Sequence, residues 1–65
     1  MNKLKEIRTK AGLTRQELEA RSGVSRNTIR GYEEGKRDVK LASYDSLCRL
    51  AAALGVQIEN FFEKF

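Results

Sequence analysis

The chain has 65 residues, enough for one domain spanning 1–65 and too few to enclose an enzyme-sized cleft, because a chain this short buries only about 60% of the surface it exposes when unfolded. It carries no His, Pro or Trp and a single cysteine, Cys48, which excludes an internal disulfide and most nucleophile–base and zinc arrangements. Lys and Arg outnumber Asp and Glu by 13 to 9, for a formal net charge of +4, a balance that suits a polyanionic partner.

The first helix is expected to start at Asn2 as a cap, to present Leu4, Ile7, Arg8 and Ala11 on one face, and to stop at Gly12. Thr14-Arg15-Gln16-Glu17 reads as a capping box opening a second helix, which buries Leu18 and runs to about Ser22. Gly23 stops it. Ser25 caps a third helix that holds Ile29 and Tyr32 and ends at Gly35. Residues 36–42 lack a helical apolar period and read as a loop. Ser43 or a neighbour caps a fourth helix whose buried stripe is Tyr44, Leu47, Leu50, Ala51 and Leu54, closed by Gly55. Ile58, Phe61, Phe62 and Phe65 suggest a short fifth helix. Cys48, with no Lys or His beside it, reads as a small core residue. No strand, repeat or low-complexity segment is evident. With no apolar run of signal-peptide or membrane-spanning length, the chain is expected to be soluble and cytoplasmic, with no membrane partner.

Two short capped helices joined by Ser22-Gly23-Val24-Ser25 form a helix-turn-helix over about 14–35. Val24 and Ile29 face back toward Leu18, which leaves Arg26, Asn27 and Arg30 on the exposed start of the third helix. Those side chains suit base edges in a major groove. Arg donates two bonds to guanine O6 and N7, and Asn pairs bidentately with adenine N6 and N7. The free N–H groups of the helix start point toward phosphate, with Ser25 and Thr28 assigned to the same contact.

The segments Leu4-Lys5-Glu6-Ile7-Arg8, Gly12-Leu13-Thr14-Arg15-Gln16-Glu17-Leu18, Ser22-Gly23-Val24-Ser25-Arg26-Asn27-Thr28-Ile29, Tyr32-Glu33 with Gly35-Lys36, and Leu50-Ala51 with Ala53-Leu54-Gly55-Val56 occur in this order. Together they resemble the phage-repressor/Cro (XRE) type of helix-turn-helix regulator over almost the whole chain. The resemblance implies an all-α fold, a compact five-helix bundle of the lambda-repressor-like kind. It also implies sequence-specific duplex DNA binding, usually as a dimer, by a transcriptional regulator acting as a repressor. Its base-reading positions fall on Arg26, Asn27 and Gly31, with Arg30 nearby. Its phosphate contacts fall on Arg15 and on residues 34–37, which include Lys36 and Arg37. It further implies that Arg8 pairs with Glu33, tying the first helix to the third.

Three positions depart from that pattern. Glu19 stands where the family usually has Ala, so it must be exposed or find a basic neighbour. Gly31 has no side chain with which to read a base. Glu34 stands where phosphate is often met, and a carboxylate is repelled there. The 38–42 loop is longer than the shortest family form and offers Lys40 as a backbone contact. These departures motivate an alternative, a protein-interaction module or antitoxin-like partner protein on the same fold. Beyond Phe61, Phe62 and Phe65 extend the apolar surface and suggest a homodimer interface. A two-fold dimer sets two recognition helices about 34 Å apart. The expected partners are therefore double-stranded DNA and a second copy of the chain. No catalysis, cofactor, metal or small-molecule substrate is expected.

Overall fold

Side-chain capping decides where most of the helices begin. The computed structural model describes residues 3–62. In chain order it contains α1 (Leu4–Lys10), α2 (Arg15–Ser22), α3 (Arg26–Glu33), a 3-10 turn (Val39–Leu41), α4 (Tyr44–Leu54) and a second 3-10 segment (Ile58–Phe62). Thr14, Ser25 and Ser43 cap α2, α3 and α4 through their hydroxyls, each satisfying one of the backbone donors a helix start leaves open. Lys3 precedes α1 without a side-chain cap bond; the expected Asn2 cap lies outside the described residues.

The fold is all-helical among the described residues, with four α-helices and no strand. The expected fifth helix is instead the 3-10 segment Ile58–Phe62. Five residues are too few to offset helix nucleation, and a tighter turn serves to aim one side chain. Asn60 closes that turn, its N–H donating to the Gln57 carbonyl at 3.0 Å and its Oδ1 accepting from the Gln57 N–H at 3.0 Å. The turn inserts Phe61, which is fully buried, into the core, and the Phe61 carbonyl accepts from the Lys3 N–H at 3.2 Å. The start of the described chain is thereby tied to its end.

Leu4, Leu18, Ile29, Leu50 and Phe61 are fully buried, and Val24, Tyr32, Val39, Leu47 and Ala51 complete the core around them. α2 is the hub, packed against both α3 and α4, while α1 lies on α3.

Two expectations about this core need correcting. Tyr44 does not join the buried stripe of α4; it is 75% exposed. It is the first residue of α4, one turn ahead of buried Leu47, and the preceding Leu41, itself exposed, does not cover it. Residues 36–42 are also more than a loop. Asp38 accepts the Lys40 N–H at 3.0 Å and starts a 3-10 turn that buries Val39. Cys48 and Leu54 sit half-buried at the margin of the core. No helix among the described residues is long and apolar enough to cross a membrane.

Candidate nucleic-acid interface

The α2–α3 junction is built by short-range bonds. In the capping box the Thr14 hydroxyl accepts the Glu17 N–H at 3.0 Å while the Glu17 carboxylate accepts the Thr14 N–H at 2.8 Å. At the far end of α2, Gly23 adopts φ 77°, a left-handed conformation costly for any residue with a Cβ, and its N–H closes on the Glu19 carbonyl at 2.8 Å. Ser22 is buried and its hydroxyl accepts the Val24 N–H at 3.0 Å. Val24 is thereby turned inward, and Ser25, its hydroxyl accepting the Asn27 N–H at 3.2 Å, starts α3 immediately. Ile29 and Tyr32 fasten the inner side of α3 to the core.

The outer side of α3 is open. Arg26, Asn27 and Arg30 are all exposed, and Thr28 is half-buried. The two arginines lie against carboxylates. Arg26 Nε is 3.1 Å from Glu19 Oε1, and Arg30 Nε donates to Glu34 Oε2 at 3.0 Å. Glu19, anomalous in the sequence, has found its basic neighbour. Glu34 gathers several cations, with Lys36 Nζ at 3.7 Å and Arg15 Nη1 at 4.0 Å as well. The hydrogen bond from Arg30 holds the Glu34 carboxyl below its ordinary value, so it is ionised at neutral pH. With the Arg26 and Arg30 side chains more than half exposed, such pairs contribute little and exchange readily for another anionic or hydrogen-bonding partner.

The helix-turn-helix family model matches residues 4–61. The chain belongs to the Cro/C1-type helix-turn-helix family of DNA-binding regulators. It is also similar to an uncharacterized HTH-type transcriptional regulator of Methanocaldococcus jannaschii, with 43% identity over 63 residues that cover 94% of this chain and 88% of that protein. No solved structure matches it.

In this helix-turn-helix domain the remaining candidate residues divide into two groups. One is internal. Arg8 is buried and grips Glu33 with two bonds, Nε to Oε2 at 2.6 Å and Nη2 to Oε1 at 3.1 Å, while its Nη1 donates to the Leu13 carbonyl at 2.7 Å. The expected pair is thus present and joins α1, the α1–α2 turn and α3. Arg15, expected at phosphate, enters the same cluster, its Nε donating to Glu33 Oε1 at 2.8 Å. The Glu33 side chain is fully buried. Burial pushes its carboxyl upward, but the hydrogen bonds and charges of Arg8 and Arg15 outweigh this and hold it below the ordinary range. No spacing rule links residues 15 and 33, so the sequence offered no signal for the second arginine.

The other group lies beyond α3. Lys36, Arg37 and Lys40 are exposed. The N–H groups of Lys36 and Arg37 both donate to the Gly31 carbonyl, at 2.9 and 3.0 Å, which folds the loop back against the end of α3. Phe62 is half-buried and packs on the core. Phe65, its expected companion in a dimer, lies outside the described residues. Among the described residues no cluster of metal-ligating side chains occurs.

Proposed function

We propose that this chain is a sequence-specific duplex-DNA-binding transcriptional regulator that inserts α3 into the major groove and represses. The observation that carries the reading is the outer side of α3. Arg26, Asn27 and Arg30 stand exposed on a helix whose other side is locked by buried Ile29 and Tyr32. A rigid helix presenting two arginines and an asparagine at its outward end has the donors that guanine and adenine edges require. Ser25, Thr28, Lys36, Lys40 and the still partly exposed Arg15 flank that end and supply hydroxyl and cationic groups for phosphate. The related archaeal protein, described as a transcriptional regulator, supports the same class.

The carboxylates of Glu19 and Glu34 favour a second reading, a protein-binding role for the same surface. Each is already engaged by an arginine of α3, and Lys36, Arg37 and Lys40 leave the face cationic. DNA therefore remains the better fit.

Selection of sites from a random duplex pool tests the proposal. The wild-type chain enriches a defined site; Arg26→Ala and Asn27→Ala each relax the preference at one base pair by about 1–3 kcal/mol while the helical fold persists. Equal affinity of both variants for the selected site overturns the assignment of α3. Recovery of a stoichiometric protein partner, with no enriched duplex, supports the second reading.

A further inference from the structure

Gly31 is the odd residue of the proposed reading surface. It sits four residues after Asn27, hence on the same side of α3 one turn further on. A side chain there would extend the row that Asn27 begins, yet the residue has none. Its backbone is ordinary helix, so no unusual φ explains the glycine. The space beside it is taken by Arg37. A Cβ built at Gly31 would meet Arg37 Cδ at 3.0 Å and Cγ at 3.1 Å, with Cβ of the same arginine at 3.6 Å. The aliphatic stem of Arg37 lies in the space that a residue-31 side chain would fill.

The backbone that carries the stem is held beside Gly31 by the two N–H bonds from residues 36 and 37 to the Gly31 carbonyl. The buried Val39 anchors the far side of the same loop. The guanidinium of Arg37 also differs from those of Arg15, Arg26 and Arg30. Each of those has a carboxylate partner, whereas Arg37 is exposed and has no carboxylate partner among the described residues.

We infer that Arg37 is a specificity-determining residue, which lays its side chain across Gly31 and reads a guanine beside the base pair contacted by Asn27, in place of the side chain that α3 lacks. The inference rests on the proposed reading of DNA by α3 and moves Arg37 from the phosphate contacts to the base contacts. A guanidinium with no competing carboxylate and a stem already laid along the helix loses little on forming two bonds to guanine O6 and N7. The glycine is then the condition for the contact, because it leaves the slot in which the stem lies.

The test compares wild type, Arg37→Lys, Arg37→Ala and Gly31→Ala on the selected duplex and on every single-base-pair variant of it, at several salt concentrations. Arg37→Ala is expected to lose discrimination at one pair only, by about 5- to 140-fold. Arg37→Lys, which keeps the charge but not the fork, is expected to lose the same discrimination while keeping the wild-type salt dependence. Gly31→Ala is expected to reduce discrimination at that same pair with the helical circular dichroism intact. Three results overturn the inference: uniform weakening of all duplexes by Arg37→Ala, which marks a phosphate contact; full discrimination by Arg37→Lys; or unchanged discrimination by Gly31→Ala. If the wild-type chain enriches no duplex at all, the DNA reading itself has failed, an outcome separate from these three.

Discussion

Glu33 links three helices through one side chain. One fully buried carboxylate accepts from Arg8 on α1 and from Arg15 on α2 while belonging to α3. No side-chain nitrogen or oxygen that is buried among the described residues lacks a partner, and removing Arg8 strands Glu33 Oε2 while Oε1 keeps only its bond from Arg15. Breaking such a pair costs about 3–5 kcal/mol. A chain of this size is stable by only about 3–10 kcal/mol, so Arg8→Ala is expected to leave it partly or wholly unfolded at 25 °C, as urea denaturation would record. The pair also fixes the acid response. The folded carboxyl lies below its ordinary value of 4.5, so the unfolded state binds the proton more readily. The stability contributed by Glu33 is therefore complete above the unfolded value and disappears as pH falls through the folded one. Melting temperatures measured from pH 6 downward should hold until about pH 4.5 and then fall. Glu33→Gln should be less stable at neutrality and show a shallower fall. An equal fall in both proteins would show that other carboxylates carry the acid transition.

At the scale of elements, two glycines predict opposite responses to one substitution. Gly23 lies at φ 77° between α2 and α3, where a Cβ adds about 1–2 kcal/mol of backbone strain. Gly23→Ala should lower the melting temperature, at about 4–8 °C per kcal/mol for a domain of this size. The new methyl also meets Arg49 Nη1 at 3.1 Å, but that contact is the far end of a flexible side chain and can move. Gly31 lies inside α3, where alanine is better than glycine by about 0.5–1 kcal/mol, and the Arg37 stem that its methyl meets at 3.0–3.1 Å belongs to an exposed side chain that can swing aside, so Gly31→Ala should be neutral to stabilising. Differential scanning calorimetry of the two variants checks both signs. The same contrast shows what was legible in the sequence. The three hydroxyl caps and the turn glycine act through bonds spanning two to four residues, and local patterning located α2, α3 and the exposed Arg26, Asn27 and Arg30. Burial of Val39, exposure of Tyr44 and the bond from Arg15 to Glu33 depend on which distant elements come together, and no periodicity in residues 36–44 encodes that. Gly31 read as a loss to the recognition helix because the arginine that covers it lies six residues away across a loop.

At the scale of the whole domain, the proposed reading of DNA meets a limit of size. The described residues extend 29 Å along the longest axis, less than the roughly 34 Å between successive major-groove faces on one side of a duplex. On the proposed reading the described residues offer one reading helix, α3, so a site with two half-sites needs two copies. Phe62, half-buried against the core, is a candidate for their contact. The expected selected site is a palindrome whose halves are about 10 base pairs apart, bound by two chains. Salt dependence reports the same stoichiometry independently. Lys40 is exposed on the turn that begins at Asp38, and as a phosphate contact it contributes about −0.9 to the log–log slope of affinity against salt. Lys40→Ala should then weaken specific and non-specific duplexes alike and flatten the slope by about 0.9 for one bound chain and about 1.8 for two. Mass measurement of the complex on the selected duplex fixes the number of chains, and the slope difference must agree with it. A complex of two chains whose slope does not change in Lys40→Ala would remove Lys40 from the interface without disturbing α3. A single chain on an asymmetric site would remove the dimer.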